Sequence, residues 1–284
     1  MEIGKPSQTA VSAALFRASH LQLYDGPKIH EDTFALTLSG LGGPEKLAEF
    51  SALVEATGFP LRRASAFFAF RHRFSEERMH AALARGVEQL VLLGAGLDSF
   101  ALRHPELPTK VRFVEIDHPA SQRAKIQRCA ELGLSTPGVH YVAVDFSSQS
   151  LADGLAAAGV DRRKPVFIAW LGVTQYIPAE ATYETLSVVA RLATRSEIVF
   201  DVILPVDEQP ADEREMSRIA SEHAAARGEP WVAYFAPEEL EGRLKSLGFS
   251  RVTRLTPARA DAYYDGQPPN ARPLGAWQML AAIV

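Results

Sequence analysis

Two glycines and an acid at the ends of two apolar runs carry the first chemical signal. The run Gln89-Leu-Val-Leu-Leu93 ends in Gly94-Ala95-Gly96. A second run, Val111-Arg-Phe-Val-Glu-Ile-Asp117, ends in a carboxylate 21 residues after Gly96. This is the outline of a strand, a glycine turn, a helix and a second strand with an acid at its tip. Such a unit suits a nucleoside, because glycines let the backbone approach the ligand and the acid accepts hydrogen bonds from ribose hydroxyls. The dinucleotide fingerprint wants a third glycine, and that position holds Ser99. Its loss is tolerable where no pyrophosphate has to be cradled. Asp98 points the same way, since its charge would lie where phosphates lie. It either caps the next helix, the more ordinary role, or sits beside a cationic ligand.

Other reactive side chains carry less. Asp145 ends Tyr141-Val-Ala-Val-Asp145 and either caps a helix before Ser147-Ser148 or faces a crevice at a strand end, and the two roles are compatible. Of the histidines, His20, His118 and His223 are best placed to approach a site. No pair shows His-x-x-x-His spacing, so no metal is expected. The single cysteine, Cys129, falls in a helical pattern and reads as a small buried hydrophobe. Tyr176 and Trp231 either stack on a substrate or fill a core.

The elements that must position these groups follow from pattern. Residues 6–86 contain no strand signal, and helices are expected over 9–18, 44–54 and 74–84. From Val87 the pattern alternates, with strands expected at 89–93, 111–116, 139–144, 165–170, 196–203, 250–256 and 275–283. Helices at 120–132 and 179–193 follow Pro119 and Pro178, in keeping with proline at a first helical turn. A further helix spans 237–247. No helix fits between the last two strands, so they should pair antiparallel. The expected fold is α/β: a Rossmann-like, doubly wound seven-stranded sheet with an antiparallel last strand, the layout of a class I methyltransferase. Residues 1–86 would form a helical cap and 87–284 the core, with a lid insertion near 205–230.

With 284 residues the chain can bury a large core; it is 47% hydrophobic and 23% charged. A net charge of −4 without like-charge blocks argues against nucleic acid and anionic membranes. No apolar run approaches 18 residues and no signal peptide is visible, so a cytoplasmic location is expected. Nothing in the pattern sets the oligomeric state.

Gln89-Leu-Val-Leu-Leu-Gly-Ala-Gly-Leu-Asp-Ser-Phe-Ala-Leu-Arg103 resembles the leading signature of the leucine carboxyl methyltransferase-like family of S-adenosylmethionine-dependent O-methyltransferases. Glu115-Ile-Asp-His-Pro119 and Trp170-Leu-Gly-Val-Thr-Gln-Tyr-Ile177 resemble two further family segments. Thr9-Ala10, Arg17-Ala18, His20 and Glu31-Asp32 echo the N-terminal pattern of its bacterial branch, which acts on polyketides and other secondary metabolites. The resemblance runs from about residue 7 to 204. It implies S-adenosyl-L-methionine as cofactor and a small-molecule acceptor methylated on a hydroxyl or carboxyl oxygen. Gly94, Ala95 and Gly96 would lie beneath the methionine portion, and Asp117, with His118 beside it, would hold the ribose. Asp145 and the Phe146 backbone would meet the adenine. Arg71, with Arg73 as the alternative, would pair with the cofactor carboxylate through a guanidinium fork.

Leu171 stands where other members carry glutamate beside the cofactor, which argues against methylation of a protein C terminus. A hydroxyl acceptor would benefit from a base, for which His20 and His223 are candidates, whereas a carboxylate would need none. Two other classes stay open at this point: a nicotinamide-dependent oxidoreductase, and a non-catalytic cofactor-binding protein.

Overall fold

The computed structural model describes residues 7–145, 149–255, 257–265 and 274–284. Among these, four helices come first: α1 (Gln8–Leu23), α2 (Ala35–Ser39), α3 (Pro44–Ala56) and α4 (Leu61–Ala84). Strands and helices then alternate as β1 (Gln89–Leu93), α5 (Phe100–Arg103), β2 (Arg112–Asp117), α6 (Pro119–Glu131), β3 (Val139–Ala143), α7 (Leu151–Ala157), β4 (Phe167–Trp170), α8 (Ala179–Val189) and β5 (Glu197–Ile203). The chain continues through α9 (Arg214–Ala226), α10 (Pro237–Ser246), β6 (Arg251–Leu255), α11 (Pro257–Ala260) and β7 (Trp277–Ile283). The seven strands form one sheet in the order β3-β2-β1-β4-β5-β7-β6. β7 runs antiparallel to both of its neighbours and the other pairs are parallel. The expected seven-stranded, doubly wound sheet with an antiparallel last strand is therefore present.

Successive strand residues divide cleanly between two cores. Leu90 and Leu92 of β1 point to one face, joined by Phe113, Phe167 and Val199. Val91 and Leu93 point to the other, with Val114, Ile168 and Phe200. Covered on both faces, such strands read as continuous apolar runs rather than as alternation. α4 closes the first face through Phe67, Phe70, Phe74 and Met79. α7, α8 and α10 close the second through Leu155, Leu186, Leu240 and Leu244.

Two elements depart from expectation. α4 begins at Leu61, thirteen residues before the anticipated start at 74. Its first turns are buried on nearly every side, from Ala64 to Ser75, so the polar stripe that marks a surface helix is missing there. Between β6 and β7, where no helix was expected, the short α11 and a 3₁₀ turn (Asp261–Tyr264) intervene. Tyr264 packs there against Phe70 of α4, with ring centroids 5.4 Å apart. Among the described residues no helix is long and apolar enough to cross a membrane.

Candidate functional site

The strand order reverses between β1 and β4, and a crevice opens beyond their carboxyl ends. The glycine turn enters it. Gly94 and Gly96 have φ of +66° and +49°, left-handed values that favour glycine, so the chain can fold sharply off β1. Gly94 N–H donates to Ile116 O at 2.8 Å, and Asp98 N–H donates to Ala95 O at 2.8 Å. Asp117, last in β2, accepts from Gly96 N–H through Oδ2 and from His118 N–H through Oδ1, both at 2.6 Å. The acid thus pins the turn, while the second lone pair of each oxygen can still accept another donor. Burial raises the Asp117 pKa, and the two N–H bonds act against that shift.

Asp98 does cap the following helix, accepting from Phe100 N–H at 2.7 Å, and it also lines the crevice. Ser99, at the missing third glycine, takes a role that the sequence did not suggest. Its hydroxyl donates to Asp32 Oδ1 at 2.5 Å, while Arg17 Nε donates to Asp32 Oδ2 at 2.7 Å. Arg17 Nη2 then donates to Leu97 O at 2.7 Å. Through this buried network, α1 and the segment before α2 hold the outer half of the glycine turn.

Arg71 lines the crevice and Arg73 does not; Arg73 pairs with Glu77 at 2.9 Å on the same helix. The Arg71 guanidinium lies 3.4 Å from Asp201 Oδ2 of β5 and stacks 4.4 Å over the Phe68 ring. Asp201 Oδ1 also takes Gly172 N–H at 2.6 Å. A Cβ at residue 172 would come within 2.7 Å of Arg71 Nη1, so a glycine there makes room for the guanidinium. Burial lowers the Arg71 pKa, and Asp201 pulls it back up. Its buried Nε has no hydrogen-bond partner among the described residues. Asp201 was missed in the sequence, although an acid inside Ile198-Val-Phe-Asp-Val-Ile203 was a usable signal. A carboxylate in a fully buried strand must find a partner.

These groups surround one cavity of about 830 Å³. Arg71, Gly94, Ala95, Gly96, Asp117, His118, Asp145, Leu171 and His223 all line it, as do Tyr176 and Trp231. Phe146 lies outside the described residues. His118 also caps α6, its Nδ1 accepting from Ala120 N–H at 3.2 Å. His20 is set apart as a candidate base. It is fully buried away from the cavity, and its Nε2 is taken by Ile29 N–H at 3.0 Å. Burial, with Lys28 and His30 nearby, pushes its pKa down to about 4. His223 is exposed on α9 at the cavity edge.

The segment expected as a lid is fastened at both ends. Glu213 accepts from Gly275 N–H at 2.9 Å and Ala276 N–H at 2.7 Å, and it pairs with Arg63. Glu229 accepts from Ser7 Oγ at 3.1 Å, from Thr9 N–H at 3.2 Å and from the Thr9 hydroxyl at the start of α1.

A sulfonium nucleoside with an amino-acid tail fits these walls. The turn accepts close approach, Asp117 has lone pairs to spare, Arg71 keeps a donor unused, and the described lining holds five carboxylates (Asp98, Asp117, Asp145, Glu184, Glu229) against three guanidinium groups (Arg17, Arg71, Arg227). No group of three or more His, Cys, Asp or Glu among the described residues could hold a metal ion.

The model of the leucine carboxyl methyltransferase family matches residues 10–190. A Bacillus subtilis relative, provisionally named S-adenosyl-L-methionine-dependent methyltransferase YktD, is 31% identical over 90% of each chain. A similarly named relative from Frankia alni is 30% identical over 97% of this chain and 93% of its own. Among solved structures, a DUF574 family protein from Streptomyces avermitilis superposes with a TM-score of 0.56 at 16% identity, covering 96% of both chains.

Proposed function

Because the chain belongs to the leucine carboxyl methyltransferase family and is an S-adenosylmethionine-dependent methyltransferase, we propose that it methylates a hydroxyl or carboxyl oxygen of a small molecule. Family membership replaces the nicotinamide alternative. The observation that carries the small-molecule reading is the roof over the cavity. Residues of α1, α3, α4 and α9 converge above the glycine turn, and the 207–229 segment is tied down at Glu213 and Glu229. Leu171 supports the same reading, since the family resemblance implies a glutamate at that place and here an uncharged side chain lines the cavity.

In this proposal Gly94, Ala95 and Gly96 pass beneath the methionine portion, Asp117 and His118 hold the ribose, and Asp145 meets the adenine. Arg71 offers its fork to the cofactor carboxylate, and Leu171 packs beside it. Bound there, S-adenosylmethionine supplies a methyl carbon already activated by positive sulfur. The protein contributes alignment and exclusion of water, which together can be worth ~7–11 kcal/mol of barrier in favourable cases. The helical cap expected over residues 1–86 and the 207–229 lid would provide that exclusion. His223 remains the candidate base for a hydroxyl acceptor.

Thermal unfolding with S-adenosylmethionine, S-adenosylhomocysteine and NADH in separate samples tests the cofactor assignment. Each adenosyl ligand at a hundredfold excess over its dissociation constant should stabilise by about 2.7 kcal/mol, and NADH should not. Acceptor screening by mass spectrometry then tests the oxygen assignment; methyl recovered only on nitrogen, carbon, sulfur or protein would overturn it. Asp117→Ala should weaken S-adenosylhomocysteine binding by about 1.5–3 kcal/mol in calorimetric titration, the scale of paired charge-assisted hydrogen bonds. Unchanged affinity would mean that the carboxylate serves the turn alone.

A further inference from the structure

The cavity is larger than its nucleoside end, and its other half has a different chemistry. Four phenylalanines that line it, Phe16, Phe50, Phe59 and Phe68, are only half-buried, unlike Phe67 and Phe113 in the core beneath. Phe16 is their hub. Its ring lies 4.9 Å from Phe68, 5.9 Å from Phe59 in a stacked pair with 15° between planes, and 6.4 Å from Phe50. Phe68 carries the Arg71 guanidinium on its face, so this aromatic lobe begins where the proposed cofactor carboxylate would be held. At the outer end Leu53 is 70% exposed and marks a mouth on α3.

Charge decides what this lobe can take. Among the described lining residues, both buried guanidinium groups already have a carboxylate partner, and the third is exposed to water. Arg17 is committed to Asp32 and Leu97 O, Arg71 to Asp201, and Arg227 sits exposed with a bond to His223 O. Any spare capacity of Arg71 is spoken for by the cofactor carboxylate. Seated among the four phenylalanines, an anionic acceptor would lose its hydration with no buried cation left unpaired beside it, and would face an excess of carboxylates around the cavity. A flat uncharged ring suffers neither cost and gains offset or edge contacts with the four phenylalanines.

We propose that the acceptor is an uncharged aromatic molecule bearing a hydroxyl, admitted past Leu53 and seated on Phe16, Phe50, Phe59 and Phe68. The proposal rests on the methyltransferase site described above, and it selects hydroxyl over the carboxyl acceptor that the family's name suggests.

Calorimetric titration of the full chain, saturated with S-adenosylhomocysteine, tests it with two probes that share a ring system, 2-naphthol and 2-naphthoate. The expected result is naphthol binding at least about tenfold tighter than naphthoate, the signature of an aromatic lobe with no buried cation left unpaired. Phe16→Ala and Phe50→Ala should each weaken naphthol several-fold while leaving S-adenosylhomocysteine affinity within about twofold, which also shows that the variants fold. Leu53→Lys, a change at an exposed position, should narrow the naphthol preference by drawing naphthoate to the mouth. Equal or tighter naphthoate binding, no naphthol binding, an unmoved preference in Leu53→Lys or unchanged naphthol affinity in both phenylalanine variants would each overturn the proposal. Failure of the wild-type chain to bind S-adenosylhomocysteine would instead overturn the underlying site.

Discussion

Asp32→Ala is expected to lose about 3–5 kcal/mol of unfolding free energy, because it strips the counter-ion from a buried guanidinium. Asp32 is 1% exposed and Arg17 3%, and their bond is 2.7 Å long. The same carboxylate takes the Ser99 hydroxyl and Phe34 N–H, and Arg103 Nε lies 3.9 Å away. Arg103 keeps Glu76 as a partner after the substitution, so Arg17 bears most of the loss. Burial alone would raise the Asp32 pKa, but Arg17, Arg103 and Ser99 together hold it below the ordinary value. A functional loss should accompany the structural one. With Asp32 gone, Ser99 loses its link to α1 and the Arg17 fork that holds Leu97 O loses its own support, so S-adenosylhomocysteine affinity should fall even though Asp32 is remote from the expected ligand contacts. Urea unfolding should show a lower midpoint at an unchanged slope. A change under about 1 kcal/mol would mean that the Arg17 charge is already solvated through the cavity.

That network also marks where sequence reasoning stopped. Gly94, Gly96 and Asp117 were legible because two apolar strands and a glycine turn fix their geometry within one short unit. Ser99, Asp32 and Arg17 have no such local rule. Their contacts bridge 67 and 15 residues and depend on how α1 lies across the turn, so Ser99 could be read only as an absent glycine. The strands were legible for a related reason, since burial on both faces demands unbroken apolar runs bounded by turns. The first half of α4 was not, because a helix buried on nearly all sides loses the 3.6-residue stripe that would announce it. His20 shows the converse error. Histidine suggested chemistry, yet its surroundings bury it on α1 as an acceptor for one backbone N–H.

That buried histidine should govern how the protein meets acid. In the unfolded chain its imidazole takes a proton below its ordinary value of 6.5, whereas in the fold it resists until about 4. The unfolded state therefore binds more protons across that window, and stability must fall as pH drops through it. A displacement of some 2.5 units corresponds to about 3 kcal/mol at 1.36 kcal/mol per unit. His72, also buried and held well below its ordinary pKa by burial and by Arg17 and Arg71, adds to the loss in the same direction. Glu76 governs the next window. Burial alone would raise its carboxyl, but hydrogen bonds from His30 and Arg103 set it at about 2 against an ordinary 4.5. Its contribution is complete above 4.5 and disappears as pH falls toward 2, worth about 3 kcal/mol more. Stability should thus decline in two consecutive stretches rather than in a single carboxylate step. Denaturant unfolding over this range separates them. His20→Gln, whose amide oxygen can still accept from Ile29 N–H, should flatten the upper stretch and leave the lower one steep. Glu76→Gln should do the reverse. An upper stretch equally steep in His20→Gln would move the effect to His72, the other deeply buried imidazole, and would leave His20 as packing alone.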